Sequence, residues 1–327
     1  MRAAASSAAT LAATLLLAAP AGATITATAG LHADGGNGHI VVARDDGSHT
    51  RVLGKGDYSA ISPDGKLVAV LDFPGYTPSG NATFKVYRTS GGPPLVATPA
   101  DFYTLTWAPD SRTLVTTDGT ASRLFTIDAA TGAQTTVATG QVGRASFSPD
   151  SQRLAYATQG GALKVVDLAT HATTTLRGHA DSPVWGPKAI AFSTTHKVHG
   201  QTIWNVATIR PDGSHFRQLT HVHPTQRYFG LTPAAWSANG RRLATATMAA
   251  DGLWFNTYVV DAVHGGARLL FRGLTNTTIS RNGRWIIGQT GDPECCGFQY
   301  SDIARVPWRG GKKRTLIRHA MTVSSNG

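Results

Sequence analysis

One short form recurs seven times in this chain and constrains its fold more than any other feature. The copies are "AISPDGKLVAV" (60–70), "TWAPDSRTLVTT" (106–117), "SFSPDSQRLAYAT" (146–158), "VWGPKAIAFSTT" (184–195), "AWSANGRRLATAT" (235–247), "TISRNGRWIIGQT" (278–290) and "TVSSNG" (322–327). Each has a large apolar residue followed by Ser, Ala or Gly. Most continue with a Pro-Asp or Asn-Gly turn and a short β-prone run. Asp-Gly and Asn-Gly accept the positive φ of a tight hairpin. The spacing of roughly 40 to 50 residues is that of propeller blades. The fourth copy lacks the Asp-Gly pair, and the seventh stops at the turn.

A second element follows each copy: a strand, a polar turn and another strand, as in "RLFTIDAATGAQTTVAT" and "NTYVVDAVHGGARLLFRG". One such pair, "HIVVARDDGSHTRVL" (39–53), precedes the first copy, and "TITATAGLHA" stands before it. Each unit therefore reads as four strands. The three N-terminal strands and the C-terminal "AMTVSS" complete one shared sheet, which removes an exposed edge. The expected fold is all-β, a seven-bladed β-propeller closed by both ends of the chain in one blade. The alternative is six blades, if the degenerate fourth copy is a loop. The apolar residues before the turns, Ile61, Trp107, Phe147, Trp185, Trp236, Ile279 and Val323, read as fill between neighbouring sheets.

"ISPDGKLVAV" and "VATIRPDGSHFRQLT" resemble the repeats of the TolB-like, or WD40-like PD40, β-propellers. The likeness extends over nearly all of residues 24–327. It implies the propeller fold and, from the family's namesake, a periplasmic role as a binding partner in an envelope complex.

The first 23 residues read as a secretory leader. Arg2 gives the positive start, "LAATLLLAA" the short apolar stretch and Ala21-Gly22-Ala23 the small residues of a cleavage site. The expected mature domain is 24–327, a single propeller secreted or held in the cell envelope; an uncleaved anchor is the alternative. No later segment has the ~18 apolar residues of a membrane helix. The net charge of +11 suits anionic partners. The basic residues are scattered, with "RGGKKR" (309–314) the densest run, and no nucleic-acid motif occurs.

In such a scaffold, two connections of each unit open on one face and two on the other. Here one set is short and stereotyped. The other includes the longer stretches 72–83, 193–201, 220–233 and 291–301. Function on repeat scaffolds resides on irregular loops. The candidate binding face therefore carries Tyr76, His196, Lys197, His199, His221, His223, Arg227, Tyr228 and Phe229. Aromatic and Arg residues are the usual anchors of such a face. His221 and His223 lie two apart and are the candidate metal ligands, since neutral imidazole suits zinc or copper. No cofactor is otherwise expected.

The only cysteines, Cys295 and Cys296, are adjacent. An oxidising compartment disfavours free thiols. A vicinal disulfide shaping a loop tip is the expected state; intermolecular pairing and reduced thiols are the alternatives. No Gly-x-Ser-x-Gly elbow or phosphate loop is present. The leading functional reading is a monomeric, non-enzymatic platform for a protein or an anionic envelope polymer. The alternative is a metal-assisted lyase or hydrolase at the channel mouth, an analogy from fold alone.

Overall fold

The computed structural model describes residues 25–29, 38–73, 82–102, 104–223, 228–249, 256–280, 282–290 and 301–325. Every regular element among them is a strand. β1 (Ile25–Ala29), β2 (His39–Ala43) and β3 (Arg51–Lys55) open the chain. β4 (Tyr58–Ile61), β5 (Leu67–Asp72), β6 (Ala82–Arg88) and β7 (Val96–Ala100) form one antiparallel sheet in that order. β8 (Thr106–Trp107), β9 (Thr113–Thr117), β10 (Arg123–Asp128) and β11 (Gln134–Thr139) form the next. β12 (Val142–Phe147), β13 (Arg153–Thr158), β14 (Leu163–Asp167) and β15 (Thr173–Arg177) form a third.

An eight-stranded sheet follows. Its first half is β16 (Ala180–Trp185), β17 (Ile190–Val198), β18 (Gln201–Ile209) and β19 (Arg217–Gln218). Its second half is β20 (Tyr228–Trp236), β21 (Arg242–Ala249), β22 (Asn256–Asp261) and β23 (Ala267–Arg272). The halves meet at a single parallel bridge between Trp204 and Gly230. Only glycine permits this approach, because a Cβ on Gly230 would fall 2.1 Å from the Trp204 carbonyl oxygen. β24 (Leu274–Ile279), β25 (Trp285–Thr290), β26 (Asp302–Pro307) and β27 (Arg314–Ile317) form another four-stranded sheet. Finally β28 (Ala320–Ser325) pairs antiparallel with β1, giving the order β28-β1-β2-β3. The expected closure by both ends of the chain is present.

In most units the turn after the inner strand is built by its own side chains. The buried Ser62 hydroxyl donates to Asp64 Oδ1 at 2.7 Å and accepts the Leu67 N–H at 3.0 Å. Asp64 Oδ1 also accepts the Lys66 N–H. The same arrangement recurs at Ser148 and Asp150, Ser237 and Asn239, and Ser280 and Asn282. The left-handed position falls on Gly65 (φ 74°) in one copy but on Ser111 (φ 59°) and Ser151 (φ 61°) in two others. Those serines also bond across the sheets: Ser111 Oγ accepts the Asp64 N–H, and Ser151 Oγ accepts the Asp110 N–H, both at 3.0 Å.

Apolar cores lie between successive sheets. Ile40 and Val42 pack with Ile61, Val68 and Val70. Leu71 and Phe84 pack with Phe102, Trp107 and Phe125. At the end of the chain, Ile287, Ile303 and Ile317 pack with Ile25, Ala27 and Val41, so the last sheet returns to the first strands. Six of the large residues before the turns fill these gaps as expected: Ile61, Trp107, Phe147 and Ile279 are buried, while Trp185 and Trp236 are half-buried; the side chain of Val323 lies outside the described residues.

Candidate functional site

The hairpins joining the second and third strands of each unit open at the same end as the crossovers between units. The register fixes this. Ala180, first in β16, pairs with Thr194 near the end of β17, and the Thr195 N–H donates to the His179 carbonyl at 2.9 Å. We call this end the loop face. It holds the stretches whose length varies most.

Strand length distinguishes one sector of it. β17 and β18 have nine residues each, β20 nine and β21 eight; among the described residues no other strand exceeds seven. At about 3.3 Å per residue, two extra residues carry a hairpin roughly 7 Å further out. The stretch 193–201, expected as an irregular loop, is therefore regular. Its pairing continues to Val198 and Gln201 and closes through His199 (φ 49°) and Gly200 (φ 80°). Two consecutive positive φ angles are those of a two-residue hairpin turn.

His196 and Lys197 are exposed on the outer part of β17, paired with Ile203 and Thr202. His199 is also exposed, but its role is the turn. His221 and His223 are exposed in the segment after β19. Tyr228 and Phe229 do not lie in a loop. They begin β20, and Phe229 is half-buried where the register with β21 shifts. Tyr76, Arg227, Cys295 and Cys296 lie outside the described residues. Among the described residues, no three His, Cys, Asp or Glu side chains converge as metal ligands.

Backbone geometry accounts for much of the histidine content. Eleven described non-glycine residues have positive φ, and six are histidines: His49, His171, His179, His199, His215 and His319. Histidine is among the side chains enriched in the left-handed region. Half of the 12 histidines thus serve turns and crossovers.

An open groove of about 540 Å³ runs between β15 and the first half of the eight-stranded sheet. Arg177, His179, Thr194, His196, Phe216 and Gln218 line it. Of these, sequence reasoning singled out His196 alone. The groove exists because β19 has only two residues, so the outer edge of its unit is thin at this level. Phe216 is one of the few exposed large hydrophobic residues. The Arg177 guanidinium lies 3.5 Å from its ring centroid. A guanidinium stacked on a ring keeps its in-plane N–H donors available. Arg177 has no carboxylate partner among the described residues. The signal in the sequence was the pairing of "LRGHA" with "GSHFRQLT", two stretches that meet only through sheet packing.

A second feature lies at the loop-face end of the inner strands. β12, β16, β24 and β28 each shift register near their start, at Gly143-Arg144, Ser182-Pro183, Asn276-Thr277 and Thr322. Bulges of this kind re-aim side chains and recur near binding sites. Arg144 and Asn276 are exposed there, and Asn276 donates to Gln289 Oε1 at 3.0 Å.

No family model matches the chain, and no curated protein matches it. Solved structures do. TolB from Acinetobacter baumannii is 15% identical with a TM-score of 0.59, over 92% of this chain and 82% of that one. An oligogalacturonate lyase from Vibrio parahaemolyticus is 13% identical with a TM-score of 0.60, over 91% of this chain and 87% of that one. An oligogalacturonate lyase in complex with manganese is 15% identical with a TM-score of 0.59, over 91% of this chain and 86% of that one. These likenesses define the fold: the chain is an all-β protein of the β-propeller class.

Proposed function

We propose that this chain is an exported, monomeric seven-bladed propeller whose loop face is a docking platform for a protein or an anionic envelope polymer. The blade count is supported by seven apolar clusters, one for each pair of neighbouring four-stranded units around the ring. In this reading, residues 1–23 direct export and are removed. Cys295 and Cys296 form a vicinal disulfide in the oxidising compartment.

The observation that carries the docking role is the raised sector formed by β17–β18 and β20–β21 with the groove at its base. It offers a cation stacked on an exposed ring, the polar side chains of Thr194 and Gln218, and the exposed His196 and Lys197. Arg and aromatic residues in a concave setting are typical anchors of binding. The likeness to TolB agrees with a binding role. Co-sedimentation of the mature protein with isolated envelope tests it. Arg177→Ala and Lys197→Ala are expected to weaken retention severalfold with the fold intact; retention unchanged in both variants would refute the docking role of this sector.

The second reading is a metal-assisted lyase or hydrolase at the channel mouth, motivated by the likeness to a lyase that holds manganese. His221 and His223 are the residues it would draw on. Stoichiometric metal in the purified protein that is lost in His221→Ala/His223→Ala would support this reading over the first.

A further inference from the structure

The positive charge is scattered along the sequence, but packing gathers seven exposed cations on one sector of the rim. Arg268 and Arg272 are exposed on β23, the outer strand of one sheet. Arg309, Lys312, Lys313, Arg314 and Arg318 are exposed on the turn before β27, on β27 itself and just after it. Packing brings the two groups together. Arg268 Nη2 donates to the Trp308 carbonyl at 2.9 Å, and Lys313 Nζ lies 5.7 Å from the Phe271 ring centroid. None of the seven has a carboxylate partner among the described residues. No Asp or Glu occurs in β23, in β27 or in the turn between β26 and β27.

Charges on outer strands also guard a sheet edge against pairing with other chains. That need is the same all round a propeller, yet the other outer strands carry two cations at most: Arg51 and Lys55 on β3, Arg177 on β15 and Arg217 on β19. β7 (Val96–Ala100) and β11 (Gln134–Thr139) are outer strands with no charged residue at all. Edge protection therefore does not account for seven cations in one sector. Like charges held this close repel, and a bound polyanion relieves that repulsion.

We propose that the outer rim formed by β23, β27 and the 307–313 turn is a binding strip for a linear polyanion. This site is separate from the loop-face platform and does not depend on it. The shape favours a chain over a membrane plane. The strip is about one gap between sheets wide and runs the length of the strands, from Arg309 and Lys312 at the turn end to Arg272 and Arg318 at the loop end. Arg314 and Arg318 alone are roughly 13 Å apart along an extended chain. Neither β23 nor β27 carries an exposed large hydrophobic residue to insert among lipid tails. Five of the seven are Arg, whose planar fork suits phosphate or carboxylate groups.

The test is binding of long-chain inorganic polyphosphate and of polyglutamate to the mature protein at low and physiological salt. Two triple variants with equal loss of charge are compared: Lys312→Gln/Lys313→Gln/Arg314→Gln on the strip, and Arg112→Gln/Lys188→Gln/Arg241→Gln, exposed elsewhere. The strip variant is expected to lose at least roughly tenfold in affinity for one polymer or both, and the control less than about twofold. Wild-type binding is expected to fall steeply between about 50 and 200 mM salt, as counterion release requires. His196→Ala/Lys197→Ala is expected to cost less affinity for either polymer than the strip variant does, which keeps this inference distinct from the loop-face reading; a larger loss there than on the strip would overturn the strip. Equal losses in the two triple variants would overturn the strip in favour of diffuse attraction. Strip-dependent binding to phosphatidylglycerol vesicles with none to either polymer would overturn the linear partner.

Discussion

The Trp107 indole Nε1–H crosses the gap between two sheets and donates to the carbonyl of Ala60 at 2.8 Å. The donor belongs to one inner strand and the acceptor to the inner strand before it. Trp236 repeats the contact with the Val184 carbonyl at 2.9 Å. At these two positions the Trp before the turn is thus both a filler and a hydrogen-bonding strut. Trp107→Phe keeps most of the volume and leaves a buried carbonyl without that donor. The expected loss is about 1–3 kcal/mol, read by urea unfolding. The half-buried Trp236→Phe is expected to lose less.

The fourth repeat departs from the Ser-Pro-Asp-Gly pattern for a steric reason. Gly186 occupies the serine position, and a Cβ there would lie 2.6 Å from the Trp236 indole. Gly186→Ala is expected to destabilise by about 1–3 kcal/mol, because the ring is rigid and the gap is packed. Gly186→Ala combined with Trp236→Leu is expected to cost less than the sum of the two single changes. Additive losses in thermal unfolding would contradict this origin of the missing serine.

These two positions also show what the sequence makes legible. Turn chemistry is local, so Ser-x-Asp and Asn-Gly mark the hairpins, and the four-strand units follow from their spacing. The closing sheet could be anticipated because the strand count at the two ends is complementary. The candidate site was less legible. "THKVHGQ" carries little turn signal beyond Gly200, and the length of β17 and β18 is linked to the distant bridge from Trp204 to Gly230. The groove joins Arg177 and Phe216 from different units, and no local pattern reports such a meeting. The basic strip escaped for the same reason: Arg268 and Lys313 are neighbours only after the sheets pack.

Acid stability has a definite direction. Hydrogen bonds from the Ser148 hydroxyl and the Gln152 N–H hold the Asp150 carboxyl below its ordinary value. The Thr131 hydroxyl and N–H act likewise on Asp128, as the Thr170 N–H and hydroxyl do on Asp167. The His264 N–H and ring lower Asp261 to about 2. A carboxyl depressed in the folded state contributes stability that is present above its unfolded pKa of about 3.9 and is lost as pH falls through the folded value. Unfolding midpoints are expected to drop between about pH 4 and pH 2. Asp150→Asn, which keeps an acceptor without the titration, is expected to flatten part of that slope.

Asp57 works in the opposite sense. Burial raises its carboxyl, the Phe73 N–H at 2.6 Å lowers it, and the Asp72 carboxylate raises it further. Its Oδ1 is buried with no hydrogen-bond partner among the described residues. A raised group contributes stability that is complete below the unfolded pKa and is lost as pH rises through the folded value. Asp57→Asn keeps an acceptor for Phe73 and removes the ionisation. It is expected to be less destabilising at pH 7 than at pH 4, or stabilising. A variant weakened equally at both pH values would contradict the assignment.

The chain termini share one sheet, and the Thr278 and Ser325 hydroxyls meet at 2.9 Å beside it. Deleting residues 320–327 removes β28 and leaves the β1 edge unpaired. The expected outcome is a fall in melting temperature of more than about 10 °C with concentration-dependent self-association, as an exposed edge invites. A shortened chain that stays monomeric and melts like the full chain would contradict closure through β28.

The loop face around β17 and β18 is proposed to meet the partner. The most direct measurement is site-specific photo-cross-linking in the cells that make the protein, with a photo-reactive amino acid at position 197 on the loop face or at position 130 on the turn face. Adducts, to protein or to polymer, are expected from position 197 and none above background from position 130. Adducts from position 130 alone, or equal yields from both, would contradict this docking role.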